Sequence, residues 1–291
     1  MAESSAVRRG DPWWRSFRTA AWLGWQIESN WADPFLFAVY SIIKPLALAG
    51  ILVVMYGTIT RGDFASPVFT YIYLGNAFYL YVGAVMSGMA WAVIDDRERY
   101  RMLKSMYVAP VDIRLYLIGR GAARFMTGSV SVLVTLVVGV LFLDVAIDLT
   151  AVDWPLFGVS LAIVVVMLAA MGLLLASLVL LLGHLSWSLG DAVAGSLFLF
   201  SGAVFPLEVL PRVLRPIGYA MPVTYWLELL RRALVGPVAQ AFPTLAGLTN
   251  LQLLGILSAL TVGLSSAAIA TFRVCDFVAR ERGLIDRTSN Y

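Results

Sequence analysis

The sequence of 291 residues has very little of several residue types on which common protein chemistry depends. It contains a single cysteine, Cys275, which excludes an intrachain disulfide and a cluster of thiolate metal ligands. It also contains a single histidine, His184, so we expect no metal site built on histidines. The phosphate-binding loop of nucleotide hydrolases requires a lysine that directly follows a glycine. The two lysines of this chain, Lys44 and Lys104, follow isoleucine and leucine instead. We therefore expect no nucleotide site and no cofactor in this chain.

Charged residues are also scarce, at 13% of the chain, whereas a soluble domain carries about 25%. Hydrophobic residues make up 60%, and the mean hydropathy is +0.83. Apolar runs of about 20 residues, which is the length needed to cross a bilayer, occur six times. Their approximate bounds are 36–58, 68–93, 121–143, 156–182, 188–205 and 249–272. We predict an all-α integral membrane protein with six transmembrane helices, in which residues 1–291 form a single domain.

The positions of arginine and lysine predict how the chain is oriented, because these residues favour the cytoplasmic side of a membrane. With the amino terminus in the cytoplasm, fifteen of them lie inside and five lie outside. The reverse orientation would place the larger number outside. We therefore expect a multi-pass protein of the cell (inner) membrane with both termini in the cytoplasm.

Residues 12–31 contain five of the nine tryptophans in the chain. Several aromatic and small residues can share one side of a helix there, namely Trp13, Trp14, Phe17, Ala21 and Trp25. Because tryptophan prefers the headgroup level of a membrane, we predict an amphipathic helix lying in the cytoplasmic interface. Such a helix is either a passive anchor or a lever that moves with the spans.

The densest run of charges lies between the second and third spans, in residues 95–110. Apolar residues recur in this run at helical spacing, at Tyr100, Leu103, Met106 and Tyr107. Pro110 should end the helix, because a residue that precedes proline avoids the helical region. A short amphipathic helix of this kind can dock in a groove of a partner protein. The other interpretation is a solvated, positively charged loop.

A proline-rich stretch follows the fifth apolar run, and its prolines are Pro206, Pro211, Pro216 and Pro222. Proline breaks helices, and broken backbone inside a membrane must be satisfied by protein or by a water-filled cavity. We predict two short helices over 207–234, roughly Leu207–Pro216 and Pro222–Leu234, that re-enter the outer face of the membrane. Broken helices of this kind are typical of transport proteins.

Three further features have two interpretations each. Lys44, in or near the first span, either marks a functional site or extends to the cytoplasmic headgroups, and we favour the second because the membrane can begin near Tyr40. An aromatic cluster opens the second span, as an interfacial belt or as a stacking surface for sugars, and comprises Tyr71, Tyr73, Phe78, Tyr79 and Tyr81. Glu228 and Arg232 can pair at helical spacing, whereas the remaining outward arginines meet lipid phosphates or solvent.

Two of these segments resemble the membrane subunits of ABC exporters of the type-two permease family. The residues of the outward segment that match the family signature are Pro206, Glu208, Pro211, Arg215, Pro216, Pro222, Tyr225, Arg231 and Arg232. The charged run is similar to the helix that couples such a permease to its ATPase. The residues to which we assign that coupling role are Glu98, Arg99, Tyr100, Leu103, Met106, Tyr107 and Pro110.

The resemblance implies a permease without enzymatic activity of its own. It implies a separate ABC ATP-binding subunit that holds ATP and magnesium, contact with membrane lipids, and no nucleic-acid partner. It also implies a second permease chain, identical or related, and we favour a homodimer over a heterodimer. An apolar path with few buried charges suits an amphipathic, drug-like or lipid-like cargo that is exported. The alternatives are a polysaccharide or lipid-linked glycan exporter and, more remotely, a membrane-embedded enzyme, for which the spans lack converging catalytic groups.

Overall fold

The computed structural model describes residues 12–30, 34–64, 66–109, 111–145, 147, 150–182, 189–236 and 245–285. Over these ranges the chain is helical and forms no strand, which confirms the predicted all-α class. The α-helices of the described ranges are α1 (Pro12–Asn30), α2 (Pro34–Thr60), α3 (Pro67–Ile94), α4 (Leu103–Val108), α5 (Ile113–Phe142), α6 (Trp154–Leu181), α7 (Leu189–Phe200), α8 (Arg215–Ala220), α9 (Pro222–Val235) and α10 (Asn250–Glu281).

Five helices are long and apolar enough to cross a membrane by length and composition, within the part of the chain that the structure describes. These candidate spans are Ser41–Thr60, Pro67–Arg99, Ile113–Phe142, Trp154–Leu181 and Asn250–Glu281. The protein is therefore a multi-pass membrane protein. The remaining predicted span, 188–205, coincides with α7, whose 12 residues fall short of the roughly 20 that a bilayer requires. A count of six spans remains a prediction.

Helices α3 and α6 form the centre of the bundle, and most of their residues are buried. Helix α6 carries apolar residues on all sides, which suits burial on one side and contact with lipid where Val159 and Val166 remain exposed. It packs against α3 and α10, while α5 packs against α3. Helices α2, α5 and α10 leave wide apolar faces uncovered, which suits contact with lipid or with another membrane subunit.

The aromatic cluster of α3 lies inside this core, so both interpretations made from the sequence are wrong. Its members Tyr71, Tyr73, Phe78, Tyr79 and Tyr81 are buried. The hydroxyl of Tyr73 donates to the carbonyl of Thr135 at 2.7 Å, and that of Tyr79 donates to the carbonyl of Ala194. Because all five side chains are buried within the bundle, these rings form neither an interfacial belt nor an exposed surface for sugars.

Helix α1 confirms the predicted amino-terminal helix over Pro12–Asn30, while residue 31 lies outside the described ranges. Its buried face is made of small residues rather than tryptophans. Ala20 and Gly24 lie against Gly119 and Ala123 of α5, and a Cβ atom on Gly24 would lie 2.8 Å from that of Ala123. Small residues on both helices thus allow the two backbones to approach closely. The exposed tryptophans fit the predicted interfacial position, which stays a prediction.

Candidate functional site

The first candidate site is the charged turn, which we define as residues 95–109, at the carboxyl end of α3. Helix α3 continues there as a π-helical turn, Asp95–Arg99, in which the amide of Tyr100 donates to the carbonyl of Asp95 at 2.8 Å. Arg101 then has a φ of 50°, and α4 begins two residues later. The predicted single helix over 95–110 is therefore wrong, because a left-handed residue breaks the helical hydrogen bonds.

The inner face of α4 confirms most of the predicted apolar stripe. Leu103 and Met106 are buried, and the hydroxyl of Tyr107 donates to Asp276 of α10 at 2.6 Å. Burial raises the pKa of Tyr107, and the hydrogen bond to the carboxylate adds to the rise, so the phenol keeps its proton. Helix α4 is thus tied to α10 through Tyr107, while Leu103 and Met106 are buried in the hydrophobic core.

Two of the predicted coupling residues, Tyr100 of the stripe and Pro110 at its end, do not belong to α4. Tyr100 precedes the helix and is exposed. Pro110 lies outside the described residues, although Ala109 before it has the extended conformation expected of a residue that precedes proline. Of the other predicted coupling residues, Glu98 is half-buried and Arg99 is exposed.

The outer face of the charged turn is exposed and mostly polar. Its exposed residues are Arg99, Tyr100, Arg101, Lys104, Ser105, Val108 and Ala109. The side chain of Val108 is the most exposed of the apolar ones, with 84% of its surface open. Arginine and tyrosine, two residue types that are enriched in protein interfaces, thus lie on this face beside one protruding apolar side chain.

Beneath this face lies a set of buried charges that the sequence reasoning missed. Arg97 donates to the carbonyls of Val179 and Leu182 at the end of α6, at 3.4 and 3.3 Å. The carboxylate of Asp96 lies 3.9 Å from the guanidinium of Arg120 in α5. Since a helix end presents free carbonyls with partial negative charge, Arg97 stabilises the end of α6. The charged turn, which continues α3, is therefore linked to α5 by an ion pair and to α6 by two hydrogen bonds.

Helix α1 joins the same end of the bundle through an ion pair. Glu28 of α1 lies 2.6 Å from Arg124 of α5. Burial raises the pKa of Glu28, and the nearby guanidinium of Arg124 opposes that rise. Gly88 of α3 lies directly against the side chain of Arg124. This ion pair brings α1, α3 and α5 into contact. A displacement of α1 would therefore also displace α3 and α5.

The second candidate site is the proline-broken segment, which we define as residues 201–235. The first of its two predicted helices, Leu207–Pro216, is wrong: a 3₁₀ turn over Leu207–Val209 comes first, and α8 begins at Arg215. The side chain of Arg215 donates to the carbonyls of Glu208 and Leu210, which satisfies backbone that the 3₁₀ turn leaves free. The second predicted helix is confirmed as α9, with Pro222 as its first residue.

The prolines of this segment occupy the positions that proline tolerates. Pro206 precedes the 3₁₀ turn, and Pro216 lies in the first turn of α8, where its missing amide leaves no hydrogen bond unmade. Pro211 is exposed between the two elements. The hydroxyl of Tyr225 donates to the carbonyl of Tyr219 at 2.8 Å and ties α9 back to α8. The proline-broken segment thus folds back on itself, with α9 held against α8.

Arg231 is buried, contrary to the expectation that it meets lipid phosphates or solvent. Only 3% of its surface is exposed, and its guanidinium lies 3.5 Å above the ring of Tyr71. It donates to the carbonyls of Tyr71, Gly202 and Ala203 at 3.1, 2.9 and 3.2 Å. A Cβ atom on Gly75 would collide with both the Ala203 carbonyl and this guanidinium. Only glycine at position 75 allows this approach.

The neighbouring Arg232 confirms the predicted pairing with Glu228, at 2.9 Å, and both side chains are buried. Its remaining donors reach the carbonyls of Leu245 and Leu248, each at 2.7 Å, and the side chain of Asn250 at 3.2 Å. Arg232 therefore fastens α9 to the chain that leads into α10. Adjacent arginines thus hold two different parts of the fold.

The described residues contain no group of three or more histidine, cysteine, aspartate or glutamate side chains that could hold a metal ion. The two sites are therefore suited to transmitting movement rather than to binding a metal ion. The charged turn provides an exposed face at one end of α3, and the proline-broken segment provides an anchored, broken backbone at the other end.

A family model described as ABC-2 type transporter matches residues 15–235. The match begins in α1, includes both candidate sites, and ends with α9. None of the curated proteins matches this chain.

Proposed function

This chain belongs to the ABC-2 type transporter family, and we propose that it is the membrane subunit of an ABC exporter for amphipathic, drug-like or lipid-like compounds. The family implies an ABC ATP-binding partner. In our proposal that partner is a separate subunit, binds ATP and magnesium, and supplies the energy. The observation that carries the proposal is the exposed outer face of the charged turn above its buried ion pairs.

The charged turn supports a coupling role because it is exposed on one side and anchored on the other. A push on the outer face, at Val108 or Lys104, would act on α4 and on the π-helical turn that continues α3. Through Arg97 and Arg120 the same push would reach α6 and α5. A docked subunit that closes on ATP binding could thus move three candidate spans together.

The cargo class follows from the walls of the bundle. The candidate spans are almost uncharged between the two ends, so a fully charged or strongly polar solute would have few polar partners along them. A glycan cargo would need exposed aromatic rings for stacking, but the aromatic cluster of α3 is buried. An amphipathic compound, which offers an apolar body and one polar end, suits these walls better.

The proposed orientation places the charged turn in the cytoplasm and the proline-broken segment outside, in the cell (inner) membrane, with both termini in the cytoplasm. We further propose that two identical copies pair, so that the cargo passes between them. The wide apolar faces of α2, α5 and α10 leave room for lipid and for a second copy.

The decisive experiment is purification of the tagged chain in mild detergent, with identification and stoichiometry of the proteins that accompany it. Two copies of the chain with two copies of an ABC ATP-binding subunit are the expected result. A cysteine introduced by Val108→Cys, in a Cys275→Ala background, should crosslink to that subunit. Recovery of the chain without any nucleotide-binding protein, even after crosslinking, would refute the proposal.

Membrane orientation has its own test at Val213, which is 85% exposed in the proline-broken segment. With Cys275 replaced by alanine, the Val213→Cys variant should react in whole cells with an impermeant thiol reagent. The matched Val108→Cys variant should react only after lysis. The opposite pattern would reverse the proposed orientation while leaving the coupling role to be tested by crosslinking.

A further inference from the structure

The outer face of α1, which we define as Trp14, Arg15, Arg18 and Trp22, belongs to neither candidate site. All four side chains are exposed, and 63% of the surface of Trp22 is open. Residues three and four positions apart are neighbours on a helix, so these side chains lie next to one another. The outer face thus carries two arginines between two indole rings.

This face points away from the rest of the protein. Ala20 and Gly24 form the side of α1 that packs on α5. At about 100° per residue, Arg15, Arg18 and Trp22 lie roughly 120° to 180° around the helix from that side. The way in which α1 packs therefore leaves the outer face available to a partner outside this chain.

The positive charge of the outer face is not neutralised within the described part of the chain. Glu28 is the one acidic residue of α1, and its carboxylate pairs with Arg124. The ion pairs between described residues include neither Arg15 nor Arg18. Charge complementarity therefore favours an anionic partner for this face.

The contact of α1 with α5 indicates the level at which the face lies. The 30 residues of α5 extend about 45 Å, so part of this helix lies outside a hydrocarbon core about 30 Å thick. Residues 125–142 carry no charge and extend about 27 Å, which is close to the thickness of that core. Helix α1 contacts α5 at Gly119 and Ala123, just before this uncharged stretch. The outer face of α1 therefore lies at the level of the lipid headgroups.

A leaflet that contains anionic phospholipid fits both residue types of the outer face. Tryptophan is enriched at the headgroup level, where its ring contacts apolar groups and its N–H stays hydrated. Arginine near an anionic leaflet is attracted to the lipid phosphates. An acidic soluble protein would match the two charges but would not explain indole rings at this level, so the combination favours lipid.

We propose that the outer face of α1 binds anionic phospholipid, with Arg15 and Arg18 on the lipid phosphate and Trp14 and Trp22 in the headgroup region. The proposal concerns a surface outside both candidate sites and does not depend on the proposed transport function. Phosphatidylcholine also carries a phosphate, but its choline cancels the net charge, so it should bind this face more weakly.

The binding test is native mass spectrometry of the purified full chain in mild detergent. Phosphatidylglycerol and phosphatidylcholine with the same acyl chains are the probes, because they differ in net charge. We expect the wild type to bind phosphatidylglycerol more tightly. Replacing Arg15 and Arg18 together by glutamine should weaken that binding by about tenfold or more, whereas replacing both by lysine should retain most of it. Equal binding of the two lipids by the wild type, or unchanged binding by the glutamine variant, would overturn the proposal.

A second double variant provides the matched control. Arg61 and Arg212 are exposed at the opposite end of the bundle, and their replacement by glutamine removes the same amount of charge. This variant should keep the preference for phosphatidylglycerol. An equal loss in both double variants would mean that overall charge, rather than the outer face of α1, attracts the lipid, and the site would be refuted.

Thermal unfolding separates loss of the lipid site from a folding defect. A ligand that binds the folded state stabilises it, so added phosphatidylglycerol should raise the Tm of the wild type more than that of the glutamine variant. Without added lipid the two proteins should unfold at the same temperature, because both arginines are exposed. Equal stabilisation of both proteins by phosphatidylglycerol would overturn the proposal.

A spin label on the outer side of α1 identifies what covers it. Thr19 is exposed beside Arg15 and Trp22, and Thr19→Cys in a Cys275→Ala background can carry a nitroxide. In nanodiscs that contain phosphatidylglycerol we expect the label to collide with oxygen from the lipid phase. A label reached only by a water-soluble nickel chelate would place this face in water and overturn the proposal. A label shielded from both reagents by a docked protein would assign the face to that protein and refute lipid binding.

Discussion

The two ends of α3 carry the same residue type in opposite environments. At the charged turn, Arg99 and Arg101 are exposed, whereas in the proline-broken segment Arg231 and Arg232 are buried. From the sequence alone both regions look like basic stretches beside an apolar run. The difference shows that an arginine next to an apolar run is not necessarily exposed on the surface of the protein.

Backbone carbonyls explain which arginines are buried. Prolines in the proline-broken segment prevent continuous helices and leave carbonyls without helical partners. A guanidinium has five donors in a fixed plane and can satisfy several carbonyls at once. Arg97 does the same for the carbonyls at the end of α6. Arg97, Arg231 and Arg232 are therefore buried where they donate to backbone carbonyls at helix ends or in broken backbone.

The largest expected effect comes from Arg231→Ala. This change leaves three buried carbonyls without their donor and detaches α9 from α3. We expect a loss of about 3 kcal/mol or more in the free energy of unfolding. Thermal unfolding in detergent, followed by size-exclusion chromatography, measures it. Arg212→Ala is the matched control, because Arg212 is exposed in the same segment. If both variants unfold alike, the contrast between buried and exposed arginines is wrong.

A smaller loss is expected from Gly75→Ala in α3. The new methyl group would collide with the Ala203 carbonyl and with Arg231, so either the segment or the arginine must shift. Overpacking of this kind costs about 1–3 kcal/mol. Gly83→Ala in the same helix adds a methyl group that meets nothing within 4 Å, and its higher helix propensity should leave stability unchanged or improved. Equal effects at both positions would argue against close packing at Gly75.

Sequence patterns predicted those parts of the fold that depend on local chemistry. The long apolar helices, α9 after Pro222, and the pairing of Glu228 with Arg232 follow from composition, proline positions and helical spacing. Burial of the α3 aromatic cluster did not follow, because it depends on which helix lies at the centre of the bundle. No local pattern indicates that the aromatic face of α3 is buried by other helices.

The same limit applies to single residues of the candidate sites. The left-handed Arg101 carries no sequence signal such as glycine, so the break in the charged turn was missed. Asp96 and Arg97 belong to a run of charges, and only tertiary contacts distinguish them from the exposed Arg99.

Tyr107→Phe probes how firmly the charged turn is held. The variant removes the hydroxyl that donates to Asp276 but keeps the ring against Arg280. A loss of about 1 kcal/mol is expected from one buried hydrogen bond. Tyr100→Phe is the control, since Tyr100 is exposed, and it should leave stability unchanged. A loss as large as that of Arg231→Ala would show that the turn is anchored as firmly as the proline-broken segment.

Val108→Glu should have the smallest effect on stability and the clearest effect on function. Because Val108 is 84% exposed, the change should alter the free energy of unfolding by no more than about 0.5 kcal/mol. A negative charge in the centre of a positive surface should nevertheless weaken binding of the ATPase by about tenfold or more. Co-purification yield and ATP hydrolysis measure the second effect, with Val213→Glu at the opposite end of the bundle as the control. If Val108→Glu and Val213→Glu retain the ATPase equally, the exposed face of the charged turn is not its docking surface, and the exposed arginines there would need another explanation.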